Sequence, residues 1–292
     1  MGASIYLGKV LSSGTKGCNI ILPTTAPALL LDTYSGASAA FSLRKLRTAY
    51  TGSAIRVRRS SDNAEQDFGF VSNVLDTASL LTFCGVGDGF VTTWYDQSGN
   101  TRNATNTTAN KQPKIVSAGS ILTQNSKPNI NFTAQCLKIG TQVNLNAASY
   151  ITFAGKSSST AAYSSAGILN YDASDDPSLR FGAGSGNPGN EFLMYFNGGY
   201  AINVQTSGTT YSLFTHTMTG SYTATLFRNA TQIATGTRSG ALSNVLELSI
   251  GRFTSDSLTR NGDMQELIIW ASDQSSNRTG ISDNIKTYFS IY

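Results

Sequence analysis

The chain carries 17 acidic side chains and a single histidine, and these set the chemistry open to it. Two carboxyls flanking a sugar can cleave a glycosidic bond: one attacks or activates water while the other protonates the leaving oxygen. Glu191 stands just before an aromatic run (Phe192, Tyr195, Phe196), and Glu247 and Glu266 lie inside strand-like segments. Two packed sheets can bring a pair of these onto one concave face. They can equally leave all three as outward strand residues or as partners of buried arginines. Asp172-Ala173-Ser174-Asp175-Asp176 is the densest acidic loop, and its oxygens suit Ca²⁺, which takes about six to eight such ligands. The loop lacks the glycine and distal glutamate of an EF-hand, and a solvated turn ahead of Pro177 is the competing reading. With Asp172, Asp175 and Asp176 as its ligands, Ca²⁺ is the one cofactor the sequence brings forward.

Other chemistries fall away. One imidazole, His216, cannot supply a two-histidine zinc site, and it shares a strand face with Phe214 and Met218, as a core histidine does. Cys18, Cys84 and Cys136 are widely spaced with no CxxC pair, which removes zinc ribbons and thioredoxin-like sites and leaves three buried thiols. Asp96-Gln97-Ser98-Gly99 sets an acid beside a hydroxyl, yet a mechanical account suffices. Asp and Ser side chains bond backbone N–H groups in a tight turn, and Gly99 supplies positive φ. Asp96 is expected to be buried and bonded to Arg56 or Arg58.

Residues 44–59 hold Arg44, Lys45, Arg47, Arg56, Arg58 and Arg59 without an acid. Such a patch docks an acidic partner or an anionic glycan, or it discourages sheet edges from pairing. No aromatics interleave with the arginines, so nucleic acid is not expected. Tyr171, Tyr195 and Tyr200 are the candidate ring surfaces for a sugar; Trp94, Tyr95, Tyr163 and Trp270 are also available, and most of these aromatics are expected in the core.

The elements that must position these residues are short. Of 292 residues only 13% are charged, against about 25% ordinarily, 40% are hydrophobic and 28 are glycine. That mix disfavours helical bundles and suits brief strands joined by turns. Residues 1–35 lack sustained periodicity and read as an N-terminal arm, with a sandwich over 36–292. A helix or turn is predicted over 41–50, a hairpin over 53–70, a helical turn or two from Asp76 through Phe83, a strand over Phe90–Tyr95 and a polar surface loop over 101–128. Strands follow at Tyr150–Ala154, Phe192–Phe196, Ser212–Met218, Thr223–Phe227, Leu246–Ile250 and Glu266–Trp270, then a helical piece over Ser282–Phe289. The N-terminus lacks the pattern of a secretory signal peptide, and no apolar run is long enough for membrane insertion.

Two stretches carry a resemblance. Ile55-Arg56-Val57-Arg58-Arg59-Ser60-Ser61-Asp62-Asn63-Ala64, the Phe83-Cys84 step and Trp94-Tyr95-Asp96-Gln97-Ser98-Gly99-Asn100 resemble the catalytic domain of α-L-arabinofuranosidase B enzymes. Thr223 through Ala234, with the ending Gly262 through Tyr292, looks like parts of laminin-G-like, concanavalin A-like sandwiches. Together they span about residues 40–292 and imply an all-β, concanavalin A-like jelly-roll β-sandwich. The resemblance also implies an aspartate just after a strand like Leu248-Ser249-Ile250-Gly251, where this chain reads Arg252-Phe253. It further implies a nucleophile stretch of Asp-Leu-Glu-Asn type, which is not evident here.

On this footing the sequence leans away from an enzyme. The expectation is a lectin-like structural component of a bacteriophage particle (a fibre, an appendage or a capsid-attached protein). It would be made in the host cytoplasm and oligomeric, held by other virion proteins and touching host polysaccharide. The alternatives are an arabinofuranosidase-like glycoside hydrolase and a cell-surface carbohydrate-binding module.

Overall fold

The computed structural model describes residues 28–140, 143, 145, 148–157, 167–171, 178–181, 191–196, 199–205, 210–237, 248–251 and 260–292. The described path opens with α1 (Leu30–Thr33) and β1 (Ala39–Ser42). The hairpin β2 (Ile55–Arg59) and β3 (Glu65–Phe68) follows, then a smaller hairpin of β4 (Phe70–Val71) and β5 (Val74–Leu75). Helix α2 (Thr77–Cys84) leads into β6 (Gly89–Trp94), β7 (Ala104–Thr105) and β8 (Lys114–Ser117), and α3 (Arg278–Phe289) closes the chain.

The strands form an antiparallel sandwich. In one layer Arg260–Trp270 pairs along one edge with Ile130–Gln135 and β1, and along the other with Ser149–Ser157. Ser212–Met218, Thr223–Arg228 and Thr231–Thr237 continue outward. In the other layer β3, β2 and β6 lie side by side, and β7 and β8 both pair with β6. From β7 the ladder runs on through Leu137–Ile139, Leu248–Ile250, Gly167–Tyr171, Ser178–Phe181, Glu191–Phe196 and Gly199–Gln205.

The first layer is covered on both faces, and its sequence says why. Leu267 and Ile269 turn into the core between the sheets with Phe41, Ile151, Phe153 and Phe214. Ile268 and Trp270 turn outward, where α1 and α3 bring Leu30, Leu31, Ile281, Ile285 and Phe289 against them. A strand buried on both faces reads as a continuous apolar run rather than an alternation. Leu267-Ile268-Ile269-Trp270 is such a run, and Ser212–Met218 is buried at every position. Full burial of each large apolar side chain is worth about 1.5–3 kcal/mol.

Helix α2 starts where Asp76 accepts a hydrogen bond from the Ser79 N–H, which satisfies an orphan donor of the first turn. It ends at Gly85, whose φ of +57° releases the chain. Among the described residues no helix is long and apolar enough to cross a membrane.

Three expectations change. Residues 41–50 are not helical: Phe41 lies in β1 and Leu43 just past its end, both in the core, and the spacing to Leu46 and Tyr50 only imitates a helical period. Residues 101–128 are not a plain loop, since they hold β7, β8 and further short strands, with Ile115 and Val116 fully buried. Strands of two to four residues are too short for their alternation to stand out. The arm expected over 1–35 does not reach its predicted end. Leu30 and Leu31 are core residues, and Leu31 N–H donates to Leu46 O at 2.8 Å. Residues 1–27 lie outside those described.

Candidate functional site

Asp96 lies two residues past the end of β6 and is buried. Its Oδ1 accepts from Ala40 N–H at 2.8 Å and Ser98 N–H at 2.9 Å, and its Oδ2 from Ser98 Oγ at 2.7 Å and Arg102 N–H at 3.0 Å. The sequence led us to expect Arg56 or Arg58 as its partner, and neither bonds it. A carboxylate surrounded by backbone N–H groups needs no guanidinium. Gln97 is fully buried beside it. Its Oε1 accepts from Leu46 N–H, and its Nε2 donates to Ser42 O and Arg44 O. Gly99 sits at φ +97°, and Arg47 donates to Ser98 O at 2.6 Å. The turn therefore staples β1 and residues 44–47 to the end of β6 and offers no free acid.

Glu266 is fully buried on the outward face of its strand, facing α3. Arg44 holds it bidentately, with Nε at 2.8 Å from Oε2 and Nη2 at 3.0 Å from Oε1, and Ser42 Oγ adds a third bond. The Arg44 guanidinium also donates to Asn284 Oδ1 and lies 4.6 Å from the centre of the Tyr288 ring. Burial pushes the Tyr288 hydroxyl up to about 12. Both charges are spent on each other and on docking α3.

The outer face of β2, β3 and β6 gathers the remaining arginines. Arg56 bonds Glu65 at 2.8 Å and approaches Asp67 at 3.4 Å, and Tyr95 Oη donates to Asp67 at 2.7 Å. The hydrogen bond to Glu65, then one to Tyr95, raises the Arg56 pKa. Glu65 and Asp67 form a carboxylate pair on one face, but a guanidinium fills the place a scissile oxygen needs. Arg58 donates to Gln112 and Asn63 and lies over Phe90, and Arg59 grips Asp62. The basic run is thus only partly neutralised: β3 and its turn supply acids to Arg56 and Arg59, Arg44 is internal, and Lys45, Arg47 and Arg58 make no ion pair among the described residues.

Every acid whose side chain is described has such a partner. Asp32 accepts from Thr48, Asp88 pairs with Lys114, and Asp263 accepts from Asn129 and Asn131. Asp273 accepts from Ser275 N–H, and Asp283 pairs with Lys286. The described residues contain no group of three His, Cys, Asp or Glu able to hold a metal. Asp172, Asp175 and Asp176, the Ca²⁺ candidates, lie outside the described residues. Tyr195 and Tyr200 face each other across the ladder between Glu191–Phe196 and Gly199–Gln205, and Tyr171 pairs with Leu248. The side chains of Tyr171, Tyr195, Tyr200 and Glu191 lie outside those described. His216 is buried between the positions of Ile151 and Leu226, and Trp94 and Trp270 are fully buried.

The fold is an all-β sandwich, and known proteins share it. The family model described as the catalytic domain of alpha-L-arabinofuranosidase B matches residues 32–150. Over 88% of its length the chain superimposes on an arabinofuranosidase complexed with arabinofuranosyl-alpha-1,2-xylobiose, with a TM-score of 0.71 and 14% identity. A GH54 α-L-arabinofuranosidase soaked with a cyclic sulfate inhibitor gives 0.68 at 13% identity over the same share. The binding domain of Paraclostridial Mosquitocidal Protein 1 gives 0.51 at 10% identity, covering 81% of this chain and 52% of that one. The chain covers 64% of each arabinofuranosidase, less than two thirds of its length. No curated protein matches it. The expectation of a virion structural component is overturned: the family model and these matches point to arabinofuranosidases instead.

Proposed function

We propose that the chain is a glycoside hydrolase domain of arabinofuranosidase type, acting on α-L-arabinofuranosyl branches of a polysaccharide. The observation that carries this reading is the arabinofuranosidase B match over residues 32–150, set within a superposition that extends over 88% of the chain. The described acids are engaged in pairs, turns and caps. The hydrolytic carboxyls are therefore assigned among Asp172, Asp175, Asp176, Glu191, Glu247 and Asp256.

The test incubates the purified chain with arabinoxylan and with 4-nitrophenyl α-L-arabinofuranoside. Release of arabinose and nitrophenol is expected, and replacing a hydrolytic carboxyl by its amide lowers kcat by about 10²–10⁴-fold in a folded protein. No release from either substrate overturns the proposal. The partnering of every described carboxylate favours a second reading, a glycan-binding domain without hydrolysis, whose signature is retention in a polysaccharide gel without sugar release.

A further inference from the structure

We propose that a trough between the β4–β5 hairpin and α3 binds an oligosaccharide carrying a uronic acid, with the Lys45 ammonium as partner of the sugar carboxylate. The proposal rests on the glycan-directed reading above and adds the charge of the ligand. Two hollows of about 410 Å³ and about 420 Å³ adjoin here, and Lys45 and Asn73 line both. Each has the size of a small-ligand site.

The backbone fixes the shared wall. Lys45 N–H donates to Asn73 O at 2.9 Å, and Leu75 N–H donates to Leu43 O at 3.1 Å, so the hairpin is pinned beside residues 43–45. Ser72 and Asn73 take φ of +49° and +67°, the left-handed pair of a tight hairpin turn, which puts the turn at the rim. Thr51, Ser53, Ser72 and Thr287 bring hydroxyls to the walls, and Asn73 and Asn284 bring amides. At one end Tyr50 and Phe70 stand edge to face with ring centres 6.4 Å apart, an apolar surface for sugar C–H groups.

Charge then selects the ligand. Arg44, more than nine-tenths buried in the wall, is neutralised by Glu266, and Asp283 is neutralised by Lys286 at 2.7 Å. Lys45 is half-buried and makes no ion pair among the described residues. A cation left unpaired among hydroxyls and amides fits a glycan with a carboxylate better than a neutral one.

The experiment runs the full chain through gels containing glucuronoarabinoxylan or the same polymer with its carboxyls reduced to alcohols. Wild type is expected to bind the native polymer about two- to fivefold more tightly, the span of a solvent-exposed ion pair. Lys45→Met and Lys45→Gln are expected to erase that difference, while Lys45→Arg keeps it. Equal retention by the two polymers overturns the proposal, as does a preference that survives in both neutral variants. Arabinose release, scored on the same samples, keeps the two readings apart. Charge preference without release sinks the hydrolase and leaves the trough, and release without charge preference does the reverse.

Discussion

At the residue scale, the carboxylates divide into those that organise backbone and those left for chemistry. Asp96 belongs to the first kind. It accepts from three backbone N–H groups, and the Ala40 N–H and Ser98 N–H share one of its oxygens. Asp96→Ala leaves these donors without their acceptor in a buried turn. We expect a loss of about 3–5 kcal/mol, since a hydrogen bond to a charged group is worth about 1.5–3 kcal/mol and contributions within one network do not simply add. Urea denaturation measures it, and a loss under about 1 kcal/mol refutes the staple. The turn's role was legible in its residue types, because Asp, Ser and Gly in sequence are what a tight turn needs. The partners were not, because Ala40 lies 56 residues away and only the pairing of β1 with the Arg260–Trp270 strand sets its place beside β6.

At the element scale, α3 is held to the sandwich by apolar packing of Ile281, Ile285 and Phe289 and by the Arg44–Glu266 pair beneath it. A buried ion pair adds little net stability, but losing one partner strands a charge and costs about 3–5 kcal/mol. Glu266→Gln is therefore expected to destabilise the chain by that amount. The double replacement Arg44→Met with Glu266→Leu is expected to recover most of the loss. Melting curves of the three variants decide it, and a double variant no more stable than Glu266→Gln contradicts the account. The strands at 212–218 and 223–228 could be read to within a residue, since β-branched and aromatic residues there are bounded by turn formers. The neutralisation of Arg56 was hidden: it depends on the β2–β3 register that sets Arg56 opposite Asp67 and within reach of Glu65 two residues along.

At the scale of the whole molecule, a covered outer face replaces the open sheet that a sandwich usually shows to solvent. The helices that cover it leave Tyr150 and Tyr288 where their ionised form is poorly solvated, and Tyr50 is partly buried beside Phe70. Burial raises Tyr50, Tyr150 and Tyr288 to about 12, from an ordinary value near 10. For Tyr50 the negative charges of Asp96, Tyr95 and Asp67 add to the shift. The folded chain thus keeps protons on these groups that the unfolded chain releases from about pH 10 upward. Their contribution is fully present below about pH 10 and is lost as pH rises through about 12. In that window each tyrosine takes away about 1.4 kcal/mol of stability per pH unit. Tyr150 lies between the sheet and α3, packed edge to face against Trp270 at 5.5 Å, and Tyr288 lies on α3 itself. The alkaline transition is therefore expected to begin on the α3 face. Urea midpoints from pH 8 to 11.5 should hold level to about pH 10 and then fall. Tyr288→Phe should blunt the fall, because phenylalanine fills much the same space and cannot ionise. A midpoint that declines steadily from pH 8, or a slope above pH 10 that Tyr288→Phe leaves unchanged, assigns the alkaline limit to other groups.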